Sequence, residues 1–284
     1  MQPFVKWAGG KRQLLPKIKK RFPKSFNNYY EPFIGGGALF LELAHTPSII
    51  SDNNAVLIEA YKTIRDYPND LMAQLDTIQS EHNSLEDKEK VKEFYYSKRE
   101  EFNKIIFSQD NTLTKTTLFI YLNKACFNGL YRVNAKGYFN VPSNHKTKIN
   151  LYDTDNIIQI SQFLKNVEIY NQDFETTVLK AKKGDLVFFD SPYAPLNPQS
   201  FDSYTKEGFS IEEHTRLSKL YKFLSKKGVY CILTNHNTEF IRDLYKDFHI
   251  EEVEVKRLIN RNADNRVGKE IIITNFNFEG KPNE

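Results

Sequence analysis

Cysteine is nearly absent: Cys126 and Cys231 are the only two in 284 residues, each in an apolar context. Two thiols so far apart make no disulfide framework and read as reduced, buried side chains. No run of about 18 apolar residues occurs, nor a charged-then-apolar leader ending in small residues, so neither a membrane span nor a secretory signal is expected. The chain is therefore expected to be soluble and cytoplasmic. Its six histidines fall in no metal-ligand spacing, and internal repeats and low-complexity tracts are missing. A Walker A loop is missing too. In residues 3–12, Val5 stands where the first glycine belongs and Arg12 replaces the Ser or Thr that would hold magnesium, which sets ATP hydrolysis aside. Early acidic residues are lacking: eight Lys and Arg, from Lys6 to Lys24, precede Glu31, although the net charge is only +4. Such a segment attracts phosphates, and an aromatic fraction of 14% supplies rings on which bases stack. A solvated helix face is the plainer reading of any single run of this kind.

Against these absences stands one short, informative stretch. Leu186 to Phe189 form an apolar run that suits a strand buried on both faces, and it ends abruptly in Asp190, Ser191, Pro192 and Tyr193. Chemistry in open α/β sheets sits at that carboxyl edge. Pro192 fixes its own φ and pushes Ser191 towards an extended conformation, so a carboxylate, a backbone carbonyl and an aromatic ring are presented together. Two acceptors beside a flat ring suit a planar amine. Taken alone, the same residues also describe a buried strand followed by a proline turn.

A second site lies upstream. Tyr29 to Ile34 read as a strand running into Gly35-Gly36-Gly37 and a helix through Ala38 to Leu43. Glycines at such a junction let backbone amides approach a ligand at the positive end of the helix dipole. A second strand, Ser48 to Ile50, ends at Asp52, seventeen positions after Gly35 and near the spacing of about 20 at which an acid binds ribose hydroxyls. Asp52 could instead cap the helix of residues 54–66. Trp7, the only tryptophan, suits either core or a cover for a flat ligand ring.

From about Asp66 to Asp153 the β pattern gives way to charged, helix-forming sequence and then a loop-rich tract. This reads as an inserted domain, 66–152, between catalytic segments 1–65 and 153–284. Within it, Cys126 to Pro142 interleave turn residues, rings and bases like a β-hairpin with Asn134 to Gly137 at its tip. A two-stranded ribbon fits a DNA major groove, with Arg132 suited to a guanine edge and Leu130 or Phe127 able to wedge between bases. On the residues alone, a surface hairpin with buried rings is the plainer reading. After Asp153 strands and helices alternate again, through Val167–Tyr170, Leu186–Phe189 and Val229–Leu233, to a closing antiparallel pair, Ile250–Val255 and Ile271–Phe276. The expected fold is α/β, a doubly wound, mostly parallel seven-stranded sheet. Ala194–Thr205 and Asn260–Gly268 read as mobile loops.

Lys6-Trp7-Ala8-Gly9-Gly10-Lys11, Glu31-Pro32-Phe33-Ile34-Gly35-Gly36-Gly37, Ser51-Asp52, the 127–142 hairpin and Asp190-Ser191-Pro192-Tyr193 together resemble the Dam and DpnII-type DNA adenine-N6 methyltransferases, in the same order along nearly the whole chain. The resemblance implies a Rossmann-like methyltransferase fold, S-adenosylmethionine as methyl donor, adenine in double-stranded DNA as acceptor, and no metal. It places Trp7, Lys11, Glu31, Phe33, Gly35, Gly37, Asp52, Asp173 and Asp190 about the cofactor. Asp190, the Ser191 carbonyl, Pro192 and Tyr193 would hold the adenine, and Lys6, Phe127, Asn128, Leu130, Arg132, Asn140 and Pro142 the DNA, with GATC as the implied target. It further implies a monomer in a restriction-modification system, with any cognate endonuclease acting separately on the same nucleoid DNA. Ser191 departs from the family pattern, which has proline there. Its carbonyl is retained, with less rigidity. The rival readings are a methyltransferase of RNA or of a protein amide, and an inactive sequence-specific DNA-binding protein on the same scaffold.

Overall fold

The computed structural model describes residues 1–7, 14–196, 209–256 and 267–277. Lys11 with Gly9 and Gly10, residues 197–205 of the first expected loop and 260–266 of the second lie outside the described residues. In chain order the elements are α1 Leu15–Lys19, β1 Tyr29–Glu31, α2 Ala38–Leu43, β2 Ser48–Asp52, α3 Ala55–Asp66, α4 Pro68–Ser84, α5 Lys88–Ile105 and α6 Thr112–Ala125. A 3-10 turn at Phe127–Gly129 precedes α7 Thr154–Leu164, β3 Val167–Asn171, α8 Phe174–Val178, β4 Leu186–Phe189, α9 Ile211–Lys226, β5 Tyr230–His236, α10 Glu239–Leu244, β6 His249–Lys256 and β7 Val267–Thr274.

The strands form one seven-stranded sheet in the order β3-β2-β1-β4-β5-β7-β6. The β1–β2, β1–β4 and β4–β5 pairs are parallel, and β7 runs antiparallel to both β5 and β6. This is the expected doubly wound, mostly parallel α/β architecture, closed by an antiparallel pair. The order reverses between β1 and β4, the topological switch point at whose carboxyl edge open α/β sheets bind ligands.

The chain divides into two compact units. One comprises Met1–Gly10, Gly35–Ala44 and Asn54–Asn171, the other Lys11–Ile34, His45–Asn53 and Gln172–Glu284. The helical tract 66–152 thus shares its unit with 54–65 and 153–171.

In the second unit, residues directly paired across strands share a face of the sheet. Tyr30, Ile49, Val187, Phe189, Cys231, Leu233 and Ile273 line one face, and Phe174 and Val178 of α8, Leu217, Tyr221 and Leu224 of α9 and Ile241 of α10 complete its core. Leu186 to Phe189 are all at most 1% exposed, and burying each side chain contributes about 1.5–3 kcal/mol. Ser210 caps α9 by accepting from the Glu213 amide (3.3 Å), and Gly228, at φ +76°, follows its end. The early basic run is partly consumed here. Arg21 is only 8% exposed and forms an ion pair with Glu251 of β6, while Lys17 donates to the Glu254 carbonyl at 2.9 Å.

In the first unit, α3, α4 and α5 all pack on α6. That explains why α6 is buried almost throughout, Lys115 included, whose ammonium pairs with Glu59 at 2.7 Å. Asn54 caps α3 through the Leu57 amide (3.1 Å), so the capping role considered for Asp52 falls to Asn54. Pro68 ends α3 and opens α4.

Candidate functional site

The carboxyl edge of the second unit gathers the polar groups. Tyr29 of β1 lies opposite Ser48 of β2 and Leu186 of β4, and Asp52 and Asp190 each stand four residues beyond those partners. They therefore sit at the same level of one edge, two strand spacings or roughly 10 Å apart. By register, Glu31, Asp52, Asp190, Thr234, His236 and Glu270 all belong to the face opposite the α8–α10 core.

Asp190 follows β4 directly, and the Thr234 hydroxyl of β5 donates to its Oδ1 at 2.9 Å. Ser191 is 2% exposed, and its Oγ has no hydrogen-bond partner among the described residues. Pro192 is exposed and Tyr193 half-buried. The Tyr193 hydroxyl donates to Glu270 of β7 at 2.9 Å. Burial, with the nearby Asp190 and Glu270 carboxylates, raises its pKa well above that of an ordinary phenol. Tyr193 is thus a neutral ring and hydrogen-bond donor, not a base. Tyr29 donates to Glu31 at 2.5 Å inside the unit, and burial followed by the Glu31 and Asp190 charges raises its pKa too.

The remaining expected cofactor residues of this unit are placed as follows. Phe33 stacks on Phe174 at 5.2 Å and meets Phe209 edge-on at 5.7 Å. Asp52 ends β2 half-buried. Asp173 caps α8 through the Glu175 amide and receives a two-pronged bond from Arg216 at 2.7 and 3.0 Å. Arg216, whose guanidinium lies 4.2 Å from the Phe174 ring centre, was not anticipated.

In the first unit, Trp7 stacks on Tyr131 (5.4 Å, 21° between planes) and meets Phe119 edge-on. Gly35 and Gly37 have φ of +47° and +68°, and a Cβ on Gly35 would stand 2.8 Å from the Trp7 ring. Both positions demand glycine, one for conformation and the other also for space. Asn123 of α6, 1% exposed, holds residue 6 against the ribbon. It accepts from the Lys6 amide (2.8 Å) and donates to the Lys6 carbonyl (2.9 Å) and the Gly129 carbonyl (3.1 Å).

The ribbon turns where expected: the Gly137 amide donates to Asn134 O at 2.8 Å, with Gly137 at φ +81°. Its pairing, however, consists of two isolated bridges, Cys126–Ser143 and Val133–Phe139, in place of two regular strands. Support comes from α5, where Asn103 bonds both the amide and the carbonyl of Phe139 and Tyr95 donates to the Val141 carbonyl. Phe127, Asn128, Leu130, Arg132 and Pro142 are exposed, while Tyr131 turns inward against Trp7. Arg132 donates from Nε to Asn140 at 2.7 Å, which aligns its guanidinium.

Comparison with known proteins decides the family. A family model described as D12 class N6 adenine-specific DNA methyltransferase matches residues 7–259. The chain belongs to this family. It is 41% identical over 281 residues to the type II methyltransferase M1.LlaDCHI of Lactococcus lactis subsp. cremoris, covering 97% of this chain and 96% of that one. The type II methyltransferase M.MjaIII of Methanocaldococcus jannaschii is also 41% identical, over 289 residues (97% and 99%). The DNA adenine methylase of Haemophilus influenzae is 31% identical over 277 residues (97% and 93%). The protein is therefore an adenine-specific DNA methyltransferase, and the fold is the Rossmann-like one expected of such enzymes. Among the described residues no helix is long and apolar enough to cross a membrane. Thr234, Asn235, His236, Glu270, Arg216 and Asn123 had been missed. A polar Thr-Asn-His sequence ending an apolar strand was the available signal for three of them.

Proposed function

We propose that this methyltransferase transfers a methyl group from S-adenosylmethionine to the exocyclic N6 of adenine within GATC in duplex DNA. It would act as the monomeric modification component of a restriction-modification system, on nucleoid DNA in the cytoplasm, with a cognate endonuclease acting separately. The observation that carries the chemistry is the placement of Asp190, braced by Thr234, and the Ser191-Pro192-Tyr193 corner at the switch point of the sheet.

The residues present fit the proposed cofactor. Gly35 and Gly37 are held at positive φ beside Trp7, and Asp52 ends a strand at the level of Asp190. Trp7, Lys11, Glu31, Phe33, Gly35, Gly37, Asp52, Asp173 and Asp190 would hold it, with Arg216 orienting the Asp173 carboxylate. When bound, S-adenosylmethionine supplies an electrophilic methyl group on sulfur.

Adenine N6 is a poor nucleophile because its lone pair is delocalised into the ring. Acceptors at the Asp190 carboxylate and the Ser191 carbonyl would bond both amine protons, favouring a pyramidal nitrogen and stabilising the positive charge that develops on it. Thr234 fixes the carboxylate rotamer, so that less reorganisation is needed as charge appears. The target atom is inaccessible inside a duplex, and extruding the base costs a few kcal/mol. Stacking on Tyr193 would return roughly 1–3 kcal/mol. Target recognition is assigned to the inserted tract 66–152, together with Lys6. Arg132 would read a guanine edge, Leu130 or Phe127 would wedge into the stack, and Asn128, Asn140 and Pro142 would complete the contact.

The test is transfer of tritiated methyl from S-adenosylmethionine to DNA, RNA and protein, with single-molecule sequencing of the methylated DNA. Label in DNA alone, as N6-methyladenine in GATC, is expected. Label at another sequence overturns the GATC assignment, and label in RNA or protein overturns the substrate.

A further inference from the structure

His236 of β5 and Glu270 of β7 are direct partners across the antiparallel pair, and Tyr193 rests on both. Its hydroxyl donates to Glu270 at 2.9 Å, and its ring meets the His236 imidazole edge-on, with centroids 4.8 Å apart and planes at 74°. The next residue is gripped twice. The Ala194 amide donates to Asn235 Oδ1 at 2.9 Å, and His236 Nδ1 lies 2.7 Å from the Ala194 carbonyl, to which it can only donate. Asn235 and Ala194 are 1% and 0% exposed, so the bond between them is shielded from water, while the His236 bond is part-buried. A ring whose tip, edge and following backbone are all bonded to one strand pair has little freedom to rotate.

We propose that the His236–Glu270 pair, with Asn235, is a positioning seat that sets the Tyr193 ring before substrate arrives. None of the three needs to touch the reacting atoms. Their contribution is to remove the ordering that a loose ring would require on meeting an extruded base, because small misplacements at a reacting centre cost up to about 100-fold in rate. The seat rests on the reading of Tyr193 as the platform for adenine, and it assigns an internal function to two polar side chains that the sequence leaves at the end of an apolar strand.

The experiment pairs disruptive with conservative variants: His236→Ala against His236→Asn, which keeps a donor near the Nδ1 position, and Glu270→Ala against Glu270→Gln, which keeps an acceptor for the phenol. Single-turnover methylation of a duplex should fall by about 10- to 100-fold in both Ala variants, while Kd for the duplex and for S-adenosylmethionine stays within about twofold. The Asn and Gln variants should recover most of the rate. A second measurement is independent of activity: 3-fluorotyrosine at position 193 should give broad or split 19F lines, from a ring held without rapid rotation, in the wild type and in the conservative variants, and one narrower, motionally averaged line in both Ala variants. A wild-type chain that fails to methylate DNA would overturn the proposed function while the fluorine line still reports on the seat. Unchanged lines and unchanged rates in the Ala variants would overturn the seat, as would Asn and Gln variants no better than Ala.

Discussion

Asn123→Ala offers the sharpest separation of fold from function. The wild-type side chain makes three hydrogen bonds, to the amide and carbonyl of Lys6 and to the carbonyl of Gly129. Each contributes about 0.5–1.5 kcal/mol net, and truncation also strands a part-buried amide, so a loss of about 2–4 kcal/mol is expected. For a chain of this size that corresponds to a fall in Tm of roughly 4–8 °C. Denaturant unfolding followed by tryptophan emission is the assay, because Trp7 is the only tryptophan and stacks on Tyr131 in the same unit. Gly129, at φ +65°, lies under the Lys6 side chain, where a Cβ would come within 2.4 Å. Losing Asn123 loosens Lys6 from Gly129, the residue that leads into Leu130 and Arg132, so discrimination against duplexes with one altered base pair should relax more than the rate on the preferred site. Asn123→Asp keeps one acceptor but sets a charge against two carbonyls, and should be no more stable than Ala. A loss below about 1 kcal/mol, with discrimination unchanged, would refute this account of Asn123.

Other consequences follow from single groups. Burial lowers the His214 pKa to about 4. The unfolded chain, with an ordinary imidazole near 6.5, binds the proton that the folded chain refuses, so stability is greatest above that pH and falls as pH drops from about 6.5 to 4, by roughly 3 kcal/mol in all. Unfolding across this range should show the loss, and His214→Phe should flatten it. Gly35→Ala combines a positive φ with a contact 2.8 Å from Trp7, and should cost about 2–4 kcal/mol and weaken S-adenosylmethionine binding measured by calorimetry. Arg132→Ala should leave Tm unchanged and remove about 1–3 kcal/mol of discrimination at one base pair, read from methylation of singly substituted duplexes.

Much of the candidate catalytic edge was legible because it is written in local chemistry. Leu186–Phe189 is too apolar for anything but a buried strand, and Asp190 and Pro192 mark its end; the glycines after Ile34 and the acid after β2 are equally local. The groups that brace this edge were not legible. Thr234, His236 and Glu270 act through cross-strand register, set by which residue of β7 faces which of β5, and a one-residue slip would turn them to the other face. Arg21 illustrates the same limit: it read as a cation for phosphate, yet its partner Glu251 lies 230 positions away on β6. The ribbon tip was visible from Asn134 and Gly137, but its pairing is sparse, and Asn103 and Tyr95 of α5 hold the outer backbone edge of its return segment, a contact made at long sequence separation.

The most direct test of the catalytic assignment is single-turnover methylation by Asp190→Ala, with duplex affinity measured on the same preparation. The account predicts that methyl transfer is lost while duplex binding survives. Transfer at close to the wild-type rate would contradict it.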